Sequence, residues 1–346
     1  MDGYAVRSKD APGPLAISGT VCAGDKPPRA LKPGTACEIM TGAAIPPGAD
    51  AVVPVENVSK TDGGRCVLVS EAQAGDFVRQ AGQDFEEGGL IAEAGTRLSP
   101  KHILALAALG AAKVPVRRRP RVAVLSTGRE LVRPGKNLRP GQIRDSSSPY
   151  LLSALAEAGC EPVYHGITRD DLPDFRRRMK KILASRPDVV VTTGAVSMGK
   201  HDFVAAELQR SGARLLFHKA AIRPGKPVLA ARFERGPLVF GLPGNPVSTL
   251  VCLRFFVMPY LRQRLEMPPE RPLKARLAAP VGKQAGLRCF LKARTETAQD
   301  GLRARVLEGQ GSSQLQSLLG ADAWAVLPEN GALFRAGTVV DIFPLS

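Results

Sequence analysis

The run Thr192-Thr-Gly-Ala-Val-Ser-Met-Gly-Lys-His-Asp202 follows the apolar residues Val189 to Val191. That pattern predicts a buried strand ending in a glycine-rich turn, with a carboxylate just beyond. An open α/β sheet holds its ligand past the carboxyl ends of its strands, where bare backbone N–H groups can face a phosphate. Gly194, Ser197 and Gly199 are the candidate contacts in this loop, and Asp202 is its acid. Three more strand-end loops share the character. Ser126-Thr127-Gly128-Arg129-Glu130 offers hydroxyls, a glycine and a carboxylate, although Glu130 could equally cap a helix N-terminus. Gly141 to Ser148 carries Asp145 ahead of a helical pattern, and Asp170-Asp171 follows the strand-like Pro162 to His165. N-capping explains Asp145 and the Asp170-Asp171 pair equally well.

Glu130, Asp145, Asp170 and Asp202 thus gather carboxylates on one sheet edge. Hard oxygens beside phosphate loops suit Mg²⁺, which binds through one or two carboxylates plus substrate phosphates. Such a metal would neutralise phosphate charge and polarise a P–O bond, with its ligands drawn from these four acids. Two basic, glycine-containing loops oppose the acids. Lys219 to Pro227 sets Lys219, Arg223 and Lys226 around a Pro-Gly turn, and Gly241-Leu-Pro-Gly244-Asn245-Pro-Val-Ser248 is a stiff turn leading into a helix. Cations and amides that cannot rearrange form a preorganised oxyanion site. None of these loops has the P-loop or dinucleotide-binding glycine pattern, so an ordinary nucleotidase or dehydrogenase site is excluded.

The elements that must position these loops are those of an α/β chain. Residues 121 to about 265 alternate strand-like and helix-like segments: strands at Val122–Ser126, Pro162–His165, Asp188–Thr192, Arg214–Phe217 and Leu238–Phe240, and helices over Pro149–Ala158, from Asp171, near Asp202 and from Pro246. Crossover units of this kind build a doubly wound, mostly parallel sheet with helices on both faces. Residues 1 to about 116 are dense in Gly and Pro with short β-branched runs, which predicts an N-terminal mostly β domain. A helix over Pro100–Leu109 follows Ser99 as its N-cap. The segments 117–120 and 267–272 read as linkers, and the tail 273–346 as a small C-terminal β domain.

Composition narrows the class. The 346 residues are 44% hydrophobic and 23% charged, which is ordinary for a globular protein. Aromatics at 5% are too few for a stacking platform on single-stranded nucleic acid. The net charge of +16 admits three readings: nucleic-acid binding, an anionic small substrate, or a surface solvated by guanidinium groups. No helix-turn-helix, zinc-finger or aromatic-basic pattern accompanies the charge, which disfavours nucleic acid. The six cysteines are scattered with no C-x-x-C pair, so neither a metal cluster nor a disulfide framework is expected. No membrane span and no signal peptide are expected, and the chain is read as cytoplasmic.

The motifs together resemble the molybdopterin molybdenumtransferase family, MoeA in bacteria and the E domain of gephyrin in animals. The resemblance rests on Met1-Asp-Gly-Tyr-Ala-Val6, Met40-Thr-Gly-Ala-Ala-Ile-Pro-Pro-Gly-Ala-Asp-Ala-Val-Val-Pro54, Ser126–Leu131, Gly194–Asp202, Arg223-Pro-Gly-Lys-Pro227 and Gly241–Pro246, in family order. It implies a molybdopterin-binding type of central sheet. The implied reaction is insertion of molybdate into adenylylated molybdopterin, with Mg²⁺ on Glu130, Asp170 and Asp202, releasing AMP. By position, the family's functional acids look like Asp2, Glu130, Asp170 and Asp202 with Thr41 beside them, and its basic residues look like Lys219, Arg223 and Lys226. The molybdate pocket would combine Lys226, Pro227 and Ser248 with Arg288 and Ser312 of the C-terminal domain.

The same resemblance implies a homodimer in which Asp2 and Thr41 act in trans. It also implies contact with molybdopterin adenylyltransferase and with proteins that mature molybdoenzymes. The chain departs from the family pattern at several places. Ala195 stands where glycine is usual, Lys200 where glutamate is common, Arg223 where lysine is common, and Arg129 where an acid is common. Family members carry several dozen residues before the Asp-Gly-Tyr motif, so a fragment, a late start codon or a divergent form is expected here. Two rival readings are the related adenylyltransferase, which lacks the flanking segments, and a gephyrin-like scaffold without catalysis.

Overall fold

The computed structural model describes residues 1–26, 29–169, 171–196 and 203–345, which form two units, Met1–Ile91 and Ala92–Ser346. In the first unit, strands β1 (Gly3–Val6), β2 (Gly13–Val21), β3 (Thr35–Ile39), β4 (Ala51–Pro54), β5 (Val58–Thr61) and β6 (Cys66–Val69) form a sheet of order β4-β1-β3-β2-β6-β5. Alternation buries Tyr4, Val6, Ala51 and Val53 on one face and Ala5, Cys37 and Val52 on the other. A sheet with apolar residues on both faces of its inner strands must be covered on both sides, and β1 is buried throughout. Gly3 is required where it stands, since a Cβ there would lie 2.2 Å from the carbonyl oxygen of Val53.

The second unit opens with α1 (Pro100–Ala108), preceded by Ser99, whose N–H donates to Nδ1 of His102 at 3.0 Å. There follow β7 (Arg121–Thr127), the short pair β8 (Leu131–Val132) and β9 (Ile143–Arg144), α2 (Ser147–Glu157), β10 (Glu161–Thr168), α3 (Leu172–Ala184), β11 (Val189–Thr193), α4 (Val204–Arg210), β12 (Ala213–His218), β13 (Ile222–Arg223), β14 (Leu229–Phe233) and β15 (Leu238–Leu242). The central sheet has the order β10-β7-β11-β15-β14-β12, and β10, β7, β11 and β15 are parallel neighbours. The chain leaves β7 for β10 on one side and returns to β11 on the other, so the order reverses beside β7. One strand departs from the parallel expectation. β14, a segment without a strand reading in the sequence, runs antiparallel to both β15 and β12.

Helices cover both faces, as the crossover pattern requires. Leu151 and Leu155 of α2 pack with Val122, Val124, Val189 and Val191, while Phe175, Met179 and Ile182 of α3 pack with Ala123, Leu125 and Val190. Successive residues of one strand thus serve opposite layers. α2 begins two residues before the expected Pro149. The helix expected from Pro246 is α5 (Pro246–Cys252), continued by a π-helical turn at Leu253–Val257 into α6 (Met258–Arg264).

The tail contributes β16 (Leu273–Leu277), β17 (Val281–Gly282), β18 (Arg288–Ala298), β19 (Gly301–Val306), α7 (Gln316–Leu319), β20 (Ala323–Leu327), β21 (Leu333–Phe334) and β22 (Val339–Pro344). β18, β19, β16, β22 and β20 pair in a closed ring, because β20 also bonds to β18. Closure removes exposed edges and encloses Ala275, Leu277, Ala293, Ala325 and Ile342. Phe290 and Trp324 join the core under the central sheet together with Val257 and Leu261, so barrel and sheet share apolar contacts.

The basic runs are tied in by carboxylates. Arg118 and Arg264 meet Asp188, Arg117 meets Glu266, Arg177 and Arg178 meet Asp174, and Arg176 grips Glu207 with two bonds of 2.7 and 2.8 Å. Much of the positive charge in these runs is therefore spent inside the fold. Among the described residues no helix is long and apolar enough to cross a membrane.

Candidate functional site

Four parallel strands end side by side in the loops singled out above: β7 at Thr127, β10 at Thr168, β11 at Thr193 and β15 at Leu242. Glycines knit these ends together. The Gly128 N–H donates to the carbonyl of Thr168 at 3.0 Å, and that of Gly194 to the carbonyl of Leu242 at 3.0 Å. Both amides are therefore spent on neighbouring strand ends, which corrects the expectation that they stand open to a phosphate. What these glycines supply is close approach. A Cβ on Gly194, at φ +80°, would sit 2.2 Å from the Thr127 carbonyl oxygen, whereas one on Gly244 would make only ordinary contact with the Gly194 Cα at 3.7 Å. Ala195 holds φ +52°, a left-handed conformation that costs a residue with a Cβ about 1–2 kcal/mol.

The acids separate by role. The Glu130 carboxylate folds back over Gly128, whose added Cβ would lie 2.6 Å from Oε1. Arg129, Glu130, Gly141, Gln142 and Arg169 line an open cleft of about 500 Å³. Asp145 is 2% exposed and accepts from the Ser126 hydroxyl at 2.7 Å, the Ser148 hydroxyl at 2.7 Å, the Ser148 N–H at 3.0 Å and the Tyr164 hydroxyl at 3.1 Å. Of the two readings open for Asp145, the hydrogen bonds select capping: it fastens the start of α2 to β7 and β10. The same bonds occupy Ser126 and bury Ser148. Asp171 caps α3 through the Asp174 N–H at 3.3 Å. Asp170, Ser197, Gly199, Lys200 and Asp202 lie outside the described residues. The Thr127 hydroxyl is buried without a partner among the described residues.

The cationic loop is held from two sides. The Lys219 N–H donates to the Val228 carbonyl at 2.7 Å, and that of Ala220 to Lys226 at 2.9 Å. Ile222 and Arg223 pair in parallel with Arg288 and Cys289, so β13 belongs to the barrel sheet. Gly225 packs against α5, where a Cβ would come within 2.7 Å of the buried Cys252 sulfur. Lys219, Arg223 and Lys226 stay exposed, Pro227 is half-buried, and none of the three cations pairs with a carboxylate among the described residues. Arg288 differs, since its Nε donates to Glu329 at 3.1 Å. Ser312 meets the glycine-proline loop: Asn245 Nδ2 lies 3.0 Å from its hydroxyl, and the Val247 N–H donates to its carbonyl at 3.0 Å. Ser248 is buried at the start of α5.

In the first unit, β1 and β3 are antiparallel neighbours with Gly3 opposite Ile39, which brings Asp2 and Thr41 together. Thr41 donates both its N–H and its hydroxyl to Asp2 Oδ1, each at 2.7 Å. These bonds hold the Asp2 carboxyl below the usual range. Two residues without a sequence signal also enter. His218 places Nε2 2.9 Å from the Val196 carbonyl, tethering the end of β12 to the residues that follow β11, and Glu329 pairs with Arg288. A lone histidine and an exposed glutamate carry no local pattern by which they could have been found.

Three family models match the chain in order. Residues 1–110 match the model of the MoeA N-terminal region (domain I and II), 123–263 that of a probable molybdopterin binding domain, and 274–345 that of the MoeA C-terminal region (domain IV). The chain is 40% identical to the molybdopterin molybdenumtransferase of Synechococcus elongatus, over 99% of this chain and 86% of that one. The chain belongs to the MoeA family. It is also 33% identical to the molybdopterin molybdenumtransferase of Bacillus subtilis, over 99% of this chain and 82% of that one. Its fold matches a molybdopterin biosynthesis MoeA protein from Pyrococcus horikoshii with TM-score 0.82 at 34% identity, covering 100% of this chain and 86% of that one. The expected fold class, a doubly wound α/β sheet with flanking β regions, holds.

Proposed function

We propose that the chain inserts molybdate into adenylylated molybdopterin and releases AMP, the last assembly step of the molybdenum cofactor. The observation that carries this reading is the exposed Lys219–Arg223–Lys226 loop, fixed on two sides and without carboxylate partners among the described residues. A rigid cationic hairpin packed against α5 near Ser248, with Ser312 on the Asn245–Val247 turn, suits a tetrahedral dianion, because its donors need no rearrangement when charge arrives. The dithiolene sulfurs bond to molybdenum as molybdate oxygens, once protonated, leave as water. Another water opens the phosphoanhydride, with AMP as leaving group and no change in oxidation state.

The acid side of the cleft serves the phosphates. Among the described residues no group of three His, Cys, Asp or Glu side chains could hold a metal ion. Glu130 offers one hard oxygen, which fits a Mg²⁺ that arrives with phosphate oxygens better than one caged by protein alone. Bound there, Mg²⁺ would neutralise phosphate charge. Arg169, across the same cleft, would hold a phosphate oxygen in place. Asp170 and Asp202 complete the acid set in this reading, and Asp2 held ionised by Thr41 belongs to it in a homodimer. A cytoplasmic setting fits these substrates.

The decisive assay is AMP release from adenylylated molybdopterin as molybdate is varied. Wild type should depend on molybdate and Mg²⁺. Glu130→Ala should lose about 100-fold in rate with its thermal midpoint unchanged, and Lys226→Ala should need about tenfold more molybdate. Wild-type turnover in Glu130→Ala would remove that acid from the chemistry. Robust pyrophosphate release from ATP and molybdopterin would assign the adenylyltransferase reaction instead.

A further inference from the structure

β18 carries a lysine in its buried middle. Lys292 is 0% exposed and lies opposite Trp324 in the barrel. Its ammonium donates to the carbonyl oxygens of Gly309 at 2.5 Å and Gln314 at 2.9 Å, and no carboxylate pairs with it among the described residues. Burial pulls its pKa below the usual lysine range. A charge kept out of water without a counterion is costly, and an apolar side chain of the same length would fill the space at less cost. What an apolar side chain cannot do is donate to two carbonyl groups at once.

Those carbonyls are the two ends of one loop. Between them Gln310 grips the backbone of Lys292 itself, accepting from its N–H at 2.9 Å and donating to its carbonyl at 2.9 Å. Ser317 adds a bond to the Gly309 carbonyl at 2.7 Å, and the Gln314 side chain accepts the Gly311 N–H at 2.7 Å. Ser312 sits within this bow and makes both contacts to the Asn245–Val247 turn. Arg288, four residues before Lys292 on the same strand, is paired with the cationic loop through the backbone.

We propose that Lys292 is a positioning residue that clamps the Gly309–Gln314 loop so that Ser312 is presented to the Asn245 turn and the oxyanion pocket. The claim about molybdate rests on the function proposed above, whereas the claim about the loop does not. Lys292→Met keeps the stem and deletes the clamp. Amide hydrogen exchange should speed up at least tenfold across residues 309–314 and at Val247, while β18, β20 and β22 keep wild-type protection. In the same variant the molybdate KM for AMP release should rise about tenfold with kcat within threefold. Ser312→Ala should reproduce the KM change without loosening the loop, and the double variant should be no worse than the weaker single one.

Unchanged exchange at 309–314 would overturn the clamp whatever reaction the chain performs. A loosened loop with an unchanged molybdate KM would overturn its role in presenting Ser312. Absence of any molybdate-dependent AMP release in wild type would sink the proposed function and leave the exchange result to decide the clamp. If Lys292→Met does not fold, Lys292→Leu, which fills the space without a donor, must show the same accelerated exchange; wild-type protection there overturns the proposal.

Discussion

One oxygen of Asp2 receives two bonds from Thr41, its N–H and its hydroxyl, each at 2.7 Å. The contact follows from strand pairing: one residue precedes β1 and the other follows β3. Thr41→Val deletes the hydroxyl, the larger cause of the lowered Asp2 pKa. The Asp2 pKa should therefore move upward toward the ordinary aspartate range in a carboxyl carbon NMR titration. An unmoved titration would show that the hydroxyl contributes nothing to holding the charge.

The close approach of Gly194 to Thr127 yields a paired prediction. Gly194→Ala meets a backbone oxygen and a positive φ at once, and should cost about 2–4 kcal/mol in denaturant unfolding. Ala195→Gly relieves a left-handed residue, so it should be neutral or stabilising by up to about 1 kcal/mol despite the added chain freedom. A clear loss on Ala195→Gly would mean that its methyl group contributes packing beyond the strain it brings.

Asp145→Ala should act on stability before activity. It strands the hydroxyls of Ser126, Ser148 and Tyr164 and the Ser148 N–H in a buried site, at a cost of about 2–4 kcal/mol. Unfolding midpoints of Asp145→Ala and Asp145→Asn should bracket the effect, with the amide milder. A fully stable alanine variant with lost turnover would return Asp145 to the ligand set.

Acid stability should register the bridge between α3 and α4. The Arg176 guanidinium holds the Glu207 carboxyl below its usual range. A depressed carboxyl contributes stability above its unfolded pKa of about 4.3 and loses it as pH falls through the folded value. Glu207→Gln should therefore flatten the decline of the melting temperature on the acid side of that range. The comparison is wild type and variant across a pH series, and parallel curves would rule the bridge out.

Some of this was legible in the residues and some could not be. The parallel strands announce themselves as short β-branched runs, and their loops as Gly, Ser and Asp clusters, because crossover units leave both signals in local sequence. Asp145 could not be sorted, since a carboxylate before a helix reads the same whether it caps or coordinates; only the fold adds Ser126 and Tyr164. β14 escaped because Leu229 to Phe233 looks like any apolar run, and its reversed direction is decided by β15 and β12. The glycine amides were misjudged for a related reason: a flexible residue is visible in sequence, but the carbonyl that takes its N–H belongs to another strand. Lys292 and Glu329 had no pattern around them at all.

The two-residue ladder between Ile222–Arg223 and Arg288–Cys289 has a consequence for how such chains can be recombined. A graft that exchanged everything after Leu273 for the matching portion of a distant relative would also replace one wall of the cationic hairpin. Chimeras that ignore that register should lose that wall of the hairpin, whereas junctions that carry Lys219–Pro227 along with the barrel should keep it.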